Sequence, residues 1–367
     1  MRHEVKAGWA LLTLAGLVAC GGTATLNPAS TPPASQVPPS TVSASPAGAA
    51  QSKPSAATSN SGQRPERDHI KLTYATAGGE DLFTRLAADK GLFQKYGLTV
   101  DVEYAQTSVG TAALTSGEVQ MNVSDGVDII QGITSGVPLK LIAYFAKHSP
   151  YGVFGNASIK QLGDLRGKSF AIGKLGDPSD VSLRIALKSS GLDATKDLNL
   201  QQVGNSPARW GALSSGQVEA AILDQETYEQ QAKSKGLNLL ASLTNQPYVA
   251  TAVVVQDSFA KANPKTVEAA LRGMIDGIRY FADEKNQADV LPALAKEMKL
   301  DPGSPLIRTG YDAMRGRLST DPYPDTLGVQ TLLDALKQID PARYGPMTPD
   351  KIIDTGFMDK IRASTSS

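Results

Sequence analysis

The chain has one cysteine, Cys20, and three histidines in 367 residues. A single cysteine excludes a disulfide framework and a cysteine-based metal site. Basic and acidic side chains balance, Lys+Arg 36 against Asp+Glu 36, and no basic stripe is interleaved with aromatics. Nucleic acid is therefore not an expected partner. There is no nucleophile motif, P-loop or metal-ligand cluster, so neither a cofactor nor a metal is expected. Apolar runs of spanning length are missing as well. The stretch Ala7 to Val18 is too short to cross a bilayer, and it follows Arg2 and Lys6. It reads as an export signal.

That signal ends in Leu17-Val18-Ala19-Cys20-Gly21, which resembles the bacterial lipobox. Cys20 is then expected to be lipidated as the first residue of the mature protein, holding it to the outer face of a membrane. Residues 21–67 are dominated by Ala, Ser, Pro and Thr with almost no large apolar side chains. Such a segment has no core to bury, so it is expected to be a disordered tether.

What remains contains a duplication. Ala113-Leu114-Thr115-Ser116-Gly117-Glu118-Val119-Gln120 returns as Ala212-Leu213-Ser214-Ser215-Gly216-Gln217-Val218-Glu219. The match carries its surroundings with it. In each copy a β-rich run (Ile70 to Ala75; Ser169 to Ile172) leads through a Gly-containing loop into an amphipathic helix that stops at Gly91 or Gly191. A second strand follows (Leu98 to Tyr104; Leu198 to Val203), then a short helix closed by Gly117 or Gly216, then a third strand (Val119 to Val123; Val218 to Leu223). Each copy is long enough for a β-α-β-α-β unit. Two such α/β units imply two lobes with a cleft between them.

Apolar runs flank the second copy: Leu139 to Phe145 and Tyr151 to Phe154 before it, Ala252 to Val255 after it. The chain is thus expected to cross between lobes twice, making a hinge. Residues 68–149 would form the first part of lobe 1, 150–250 lobe 2, and 251–367 the hinge return and a helical region packed on lobe 1. Within that region Asn263-Pro264 is expected to cap and start a helix through Tyr280, followed by helices near 289–298, 326–339 and 349–361.

Ala87-Ala88-Asp89-Lys90-Gly91-Leu92-Phe93-Gln94-Lys95-Tyr96-Gly97-Leu98-Thr99-Val100 resembles a family signature, as do Ile159 to Lys168 and both copies of the Ala-Leu-x-Ser-Gly pattern. The family is the NMT1/THI5-like and SsuA-like group of solute-binding proteins, which serve ABC importers for sulfonates, taurine, nitrate and thiamine precursors. The resemblance covers about residues 69 to 285 and implies a two-lobed, type II periplasmic-binding-protein-like fold in which each lobe is a mainly parallel sheet flanked by helices. It also implies capture of a small polar organic solute by hinge closure, delivery to a membrane permease, a monomer and no enzymatic activity. The same family includes pyrimidine synthases, so an enzyme is one alternative; these carry a cysteine-rich motif and a reactive histidine, whereas processing here would leave Cys20, His69 and His148. A tethered ligand sensor is another.

In parallel α/β sheets, ligands sit outside the carboxyl ends of the strands, where loops and helix N-termini converge. Six segments meet that description. Lobe 1 contributes Thr76, Gly78, Gly79 and Glu80; Gln106 and Thr107; Ser124 and Asp125. Lobe 2 contributes Lys174 and Ser179; Asn205 and Ser206; Asp224 and Glu226. For each residue a local role competes: Ser124, Thr107 and Ser179 as N-caps, Gly78-Gly79 as a tight turn, the acidic residues as partners of a helix dipole, Lys174 as a solvated surface group. Helix N-termini with Lys174 favour an anion, while four carboxylates favour an amine or an N–H-bearing heterocycle. Tyr104, Tyr144, Tyr151, Trp210 and Tyr228 are candidates for stacking on a ring or for packing in the core.

Overall fold

A computed structural model of the chain describes residues 64–75 and 79–365, apart from the side chains of Thr107, Ser108 and Thr365. Cys20, the signal segment, the tether through residue 63, Thr76 and Gly78 lie outside the described residues, as does the side chain of Thr107. Ten strands form two five-stranded sheets. Lobe 1 holds β1 (His69–Tyr74), β2 (Thr99–Tyr104), β3 (Met121–Ser124), β4 (Leu139–His148) and β10 (Pro247–Gln256), in the order β2-β1-β3-β10-β4. Lobe 2 holds β5 (Tyr151–Gly155), β6 (Ser169–Ile172), β7 (Asn199–Gln202), β8 (Ala220–Asp224) and β9 (Asn238–Ser242), in the order β7-β6-β8-β5-β9.

The two orders are one pattern. In each lobe the three strands of the duplicated unit pair in parallel. The fourth strand is antiparallel to both its neighbours, β10 in one sheet and β5 in the other. Those two reversed strands are the ones that enter from the opposite lobe. The chain leaves lobe 1 between His148 and Tyr151 and returns between Ser242 and Pro247, where Pro247 pairs with His148. The return strand therefore starts at Pro247 rather than near residue 251, because Tyr248 and Val249 are already buried against lobe 1.

The repeated octapeptide makes the same bonds twice. Gly117 and Gly216 both take left-handed backbone, φ 79° and 78°, and close their helices. Their amides donate to Leu114 and Leu213 carbonyls at 3.2 and 3.1 Å, and Val119 and Val218 amides reach back to Ala113 and Ala212 at 3.2 and 3.3 Å. Leu114 and Leu213 are buried. The motif is a scaffold element that delivers the chain into β3 and β8, with its Leu and Val side chains in the core and its Ser-Gly turn exposed.

The signature around Gly91 and Phe93 is also structural. Phe93 is buried against Gly273 of the helix Pro264–Ala282, and a Cβ at Gly273 would fall 2.1 Å from its ring. This lets the amphipathic helix lie on Leu82–Asp89, burying Val267, Leu271, Met274 and Ile278. At its start, Asn263 makes no side-chain cap, contrary to expectation; its amide instead donates to the Phe259 carbonyl. The cap comes from Glu66, whose carboxylate accepts the Thr266 amide at 2.8 Å and the Lys265 amide at 3.2 Å. Burial alone would raise the Glu66 carboxyl, but these donors hold it below its ordinary value. Glu66 and Arg67 are thus docked on lobe 1 and do not belong to a tether.

Three further differences concern the C-terminal region. The expected helix over 349–361 is two, Pro349–Ile352 and Gly356–Thr365, because Ile353 turns extended to bridge Leu141 and the Asp354 amide donates to the Leu141 carbonyl at 2.9 Å. A helix over Pro305–Arg317 stands where the sequence reading places none. Nor do these helices confine themselves to lobe 1. Pro305–Arg317 also meets Gln225–Ser234, and Thr326–Ile339 meets Pro178–Leu187, both in lobe 2.

Candidate ligand cleft

Of the residues expected at the site, four acidic ones come together. Glu80 follows β1, Asp125 follows β3, Asp224 ends β8 and Glu226 opens the next helix. Gly79, at φ 91°, allows the Glu80 turn to press onto the helical region: a Cβ there would fall 2.3 Å from Leu294 and 3.4 Å from Met314. Met314 belongs to the helix Pro305–Arg317, and one turn later that helix presents Arg317. The Arg317 guanidinium donates to Glu80 Oε1 and to Glu226 Oε2, each at 2.6 Å. One arginine thus ties both lobes together. A second crossing bond runs from Gln131 Nε2 to the Gly176 carbonyl at 2.6 Å.

Asp125 has two donors of its own. Its carboxylate caps the helix Gly126–Thr134 by accepting the Val127 amide at 2.8 Å, and it accepts the Tyr248 hydroxyl at 3.2 Å. Burial, with the Asp128 charge adding to it, pushes the Asp125 carboxyl well up, and the two hydrogen bonds only partly oppose this. Burial also raises Glu80; Arg317 lowers it, and the charges on Asp224 and Glu226 raise it further. Tyr151 and Tyr248, on the two hinge segments, are held up by burial and by Asp224 and Asp125 respectively. Carboxylates of both lobes and hinge tyrosines therefore act on one another.

The other expected residues hold the loops. Ser179 Oγ accepts the Gly173 amide at 2.7 Å and donates to Asp177 at 2.7 Å, fixing the loop before its own helix. Asn205 caps its helix through the Ala208 amide at 3.1 Å. Ser206 Oγ accepts the Asp224 amide at 3.1 Å and so ties the β7 loop to the end of β8. Lys174 is exposed, its backbone amide donating to Asp177, and Gln106 is exposed without a side-chain cap. Ser124 is 1% exposed, with a buried hydroxyl that finds no partner among the described residues.

The aromatic candidates divide. Tyr144 is fully buried in lobe 1, and Trp210 stacks on Tyr228 with ring centroids 5.3 Å apart and planes at 28°. Tyr104 is exposed and packs edge-on against Tyr74. Tyr151 joins the acidic group, and Tyr228, raised to about 12 by burial and then by Asp224, borders it. His148 is exposed at the end of β4, and His69 pairs with Asp101 at 3.0 Å on β2.

Arg317, Arg209, Tyr248 and Gln131 escaped sequence reasoning. Arg209 is 4% exposed, and its guanidinium donates to the Ile222 carbonyl at 2.7 Å, the Gly204 carbonyl and Ser206 Oγ. Among the described residues, no three His, Cys, Asp or Glu side chains are placed to hold a metal ion, and no helix is long and apolar enough to cross a membrane. A surface hollow of about 370 Å³ elsewhere on lobe 1 includes Arg272, Arg279 and Arg362, each already paired with a carboxylate.

Residues 83–288, more than half of the chain, match the model of a family described as NMT1/THI5 like. No curated protein matches the chain in sequence. Among solved structures, the periplasmic aliphatic sulphonate binding protein SsuA from Escherichia coli superposes with a TM-score of 0.65 at 17% identity, over 79% of this chain and 92% of that one. The alkanesulfonate-binding protein SsuA from Xanthomonas axonopodis pv. citri gives 0.58 at 17% identity, over 78% and 96%. The periplasmic nitrate-binding protein NrtA from Synechocystis PCC 6803 gives 0.62 at 15% identity, over 82% and 90%. At these identities the likeness is one of fold, and the fold is that of periplasmic binding proteins.

Proposed function

The chain belongs to the NMT1/THI5-like family, and from that premise we propose that it is the extracytoplasmic solute-binding component of an ABC importer. The observation that carries this reading is the interlobe constellation: Glu80 and Asp125 from one lobe and Asp224 and Glu226 from the other, bridged by Arg317 at the carboxyl ends of two sheets joined by two crossings. A small polar solute in that position touches both lobes. Contacts made to both favour the closed arrangement over an open one, which is the free-energy source for hinge closure. The closed form then docks on a permease as a monomer, without chemistry on the solute.

The reading places the protein outside the cell membrane, held by lipid on Cys20. Mass spectrometry of membrane-extracted protein is expected to show an acylated Cys20 as the first residue; any other mature N-terminus removes the anchor. For the binding role, a thermal-shift panel of sulfonates, organic amines, aromatic carboxylates and pyrimidines is expected to contain at least one stabilising compound. A ligand at about 100 times its dissociation constant adds about 2.7 kcal/mol to the folded state. A flat response across all four classes at millimolar concentration speaks against solute capture.

A further inference from the structure

The two lobes meet through two sets of elements, and these differ in kind. Where the helix Pro305–Arg317 meets Gln225–Ser234, the crossing bond is ionic, from Arg317 to Glu226. Where the lobe 2 helix Pro178–Leu187 meets Gly126–Thr134 and Thr326–Ile339, the contact is apolar. That helix buries two faces. Leu183 and Leu187, at i, i+4 spacing, lie with Ala186 in the core of lobe 2. Val181 and Ile185 have the same spacing and fall on the opposite side of the helix. Val181 is 0% exposed, and it belongs to a core cluster whose other buried members come from lobe 1 and its C-terminal helices, Tyr248, Val329 and Leu332 among them. Ile185 packs against that cluster and against the lobe 2 core at once. The two cores are continuous through one helix.

A polar contact is built beside this seam. Asp180, fully buried, accepts the Arg184 guanidinium on its two oxygens at 3.1 and 3.2 Å, and its Oδ2 also accepts the Gly176 amide at 2.7 Å. Gly176 takes left-handed backbone at φ 78°, so its loop is fixed against the helix that follows. Its carbonyl is thereby held where Gln131 Nε2 of lobe 1 reaches it.

We propose that Val181 and Ile185, with the Gln131–Gly176 bond, form an interlobe latch that holds a share of the molecules closed before any solute arrives. They then set solute affinity as positioning residues. The proposal rests on the solute-capture reading and adds to it a source of closing free energy that lies in the protein itself. Apolar surface buried between the lobes favours closure whether or not the cleft is filled. Solute contacts have correspondingly less to supply, and apparent affinity rises with the fraction already closed.

Pulsed electron paramagnetic resonance without solute tests this, with spin labels on Val109→Cys in lobe 1 and Leu175→Cys in lobe 2 of a full chain carrying Cys20→Ser. Val181→Ala, which takes two methyl groups from the seam, is expected to lower the closed-to-open ratio about tenfold and to lengthen the mean distance. Gln131→Ala is expected to act in the same direction by about fivefold. Ala186→Gly, on the lobe 2 face of the same helix, is expected to lower the thermal midpoint and leave the distances as they are. Saturation with a stabilising compound from the thermal-shift panel should return Val181→Ala to the short distances of the parent, at an affinity about tenfold weaker. Unchanged solute-free distances in folded Val181→Ala and Gln131→Ala overturn the latch. So does a shift of equal size in Ala186→Gly, which would mean a general loosening of the helix. If Val181→Ala does not fold, Gln131→Ala decides. A flat thermal-shift panel removes the capture reading, whereas unchanged solute-free distances remove the latch alone.

Discussion

Asp125→Asn is expected to yield a more stable protein at neutral pH that binds its solute less well. The asparagine keeps the acceptor that serves the Val127 amide and the Tyr248 hydroxyl, and it is as good an N-cap as aspartate. What it removes is a buried charge. The Asp125 carboxyl is pushed well above its ordinary value, first by burial and then by Asp128. A carboxyl whose folded value is raised costs nothing when both states are protonated, and its penalty grows as pH rises from the ordinary aspartate range through the raised folded value. The gain in Asp125→Asn should therefore be near zero around pH 3.5 and larger at neutral pH, on the order of 1–3 kcal/mol. Urea denaturation at both pH values measures it. A variant less stable than the parent at neutral pH would mean that the native carboxylate has a favourable charge partner.

The same substitution separates stability from function. A charge that destabilises the fold and yet lies among Glu80, Asp224 and Tyr151 fits a group held for its effect on a ligand.

The elements and residues legible in the sequence were those whose causes are local. Gly117 and Gly216 could be read because a left-handed residue closes a helix wherever it stands, and the two copies even share their backbone bonds to within 0.1 Å. Glu80, Asp125, Asp224 and Glu226 could be read because each follows a strand of the duplicated unit. Arg317 could not. Its partners lie 237 and 91 residues away, and nothing near residue 317 announces either. Its helix did leave a signal: Ser304 caps and Pro305 starts it, with Leu306, Ile307, Tyr311 and Met314 at helical spacing. Glu66 was hidden by composition. The Ala/Ser/Pro/Thr bias that marks a tether runs up to its neighbourhood, and only the distant helix start at Thr266 reveals its role as a cap.

Tyr248 illustrates a different limit. It sits next to Pro247 in a run that is buried and almost wholly apolar through Val255, so the pattern describes a central strand. That its hydroxyl meets Asp125 from across the sheet depends on the reversed direction of β10, a property of topology rather than of the segment.

The account stands on two lobes that close upon a solute held between them, and the distance across the cleft tests this most directly. Val109, at the start of a lobe 1 helix, and Leu175, beside the Gly176 carbonyl that Gln131 reaches from lobe 1, are exposed on opposite rims. Spin labels on Val109→Cys and Leu175→Cys, in a chain carrying Cys20→Ser, report that distance by pulsed electron paramagnetic resonance. Saturation with the panel compound that gives the largest thermal shift is expected to shorten the mean distance and narrow its distribution. An unchanged distribution under saturating compound would contradict closure of the lobes as the means of capture.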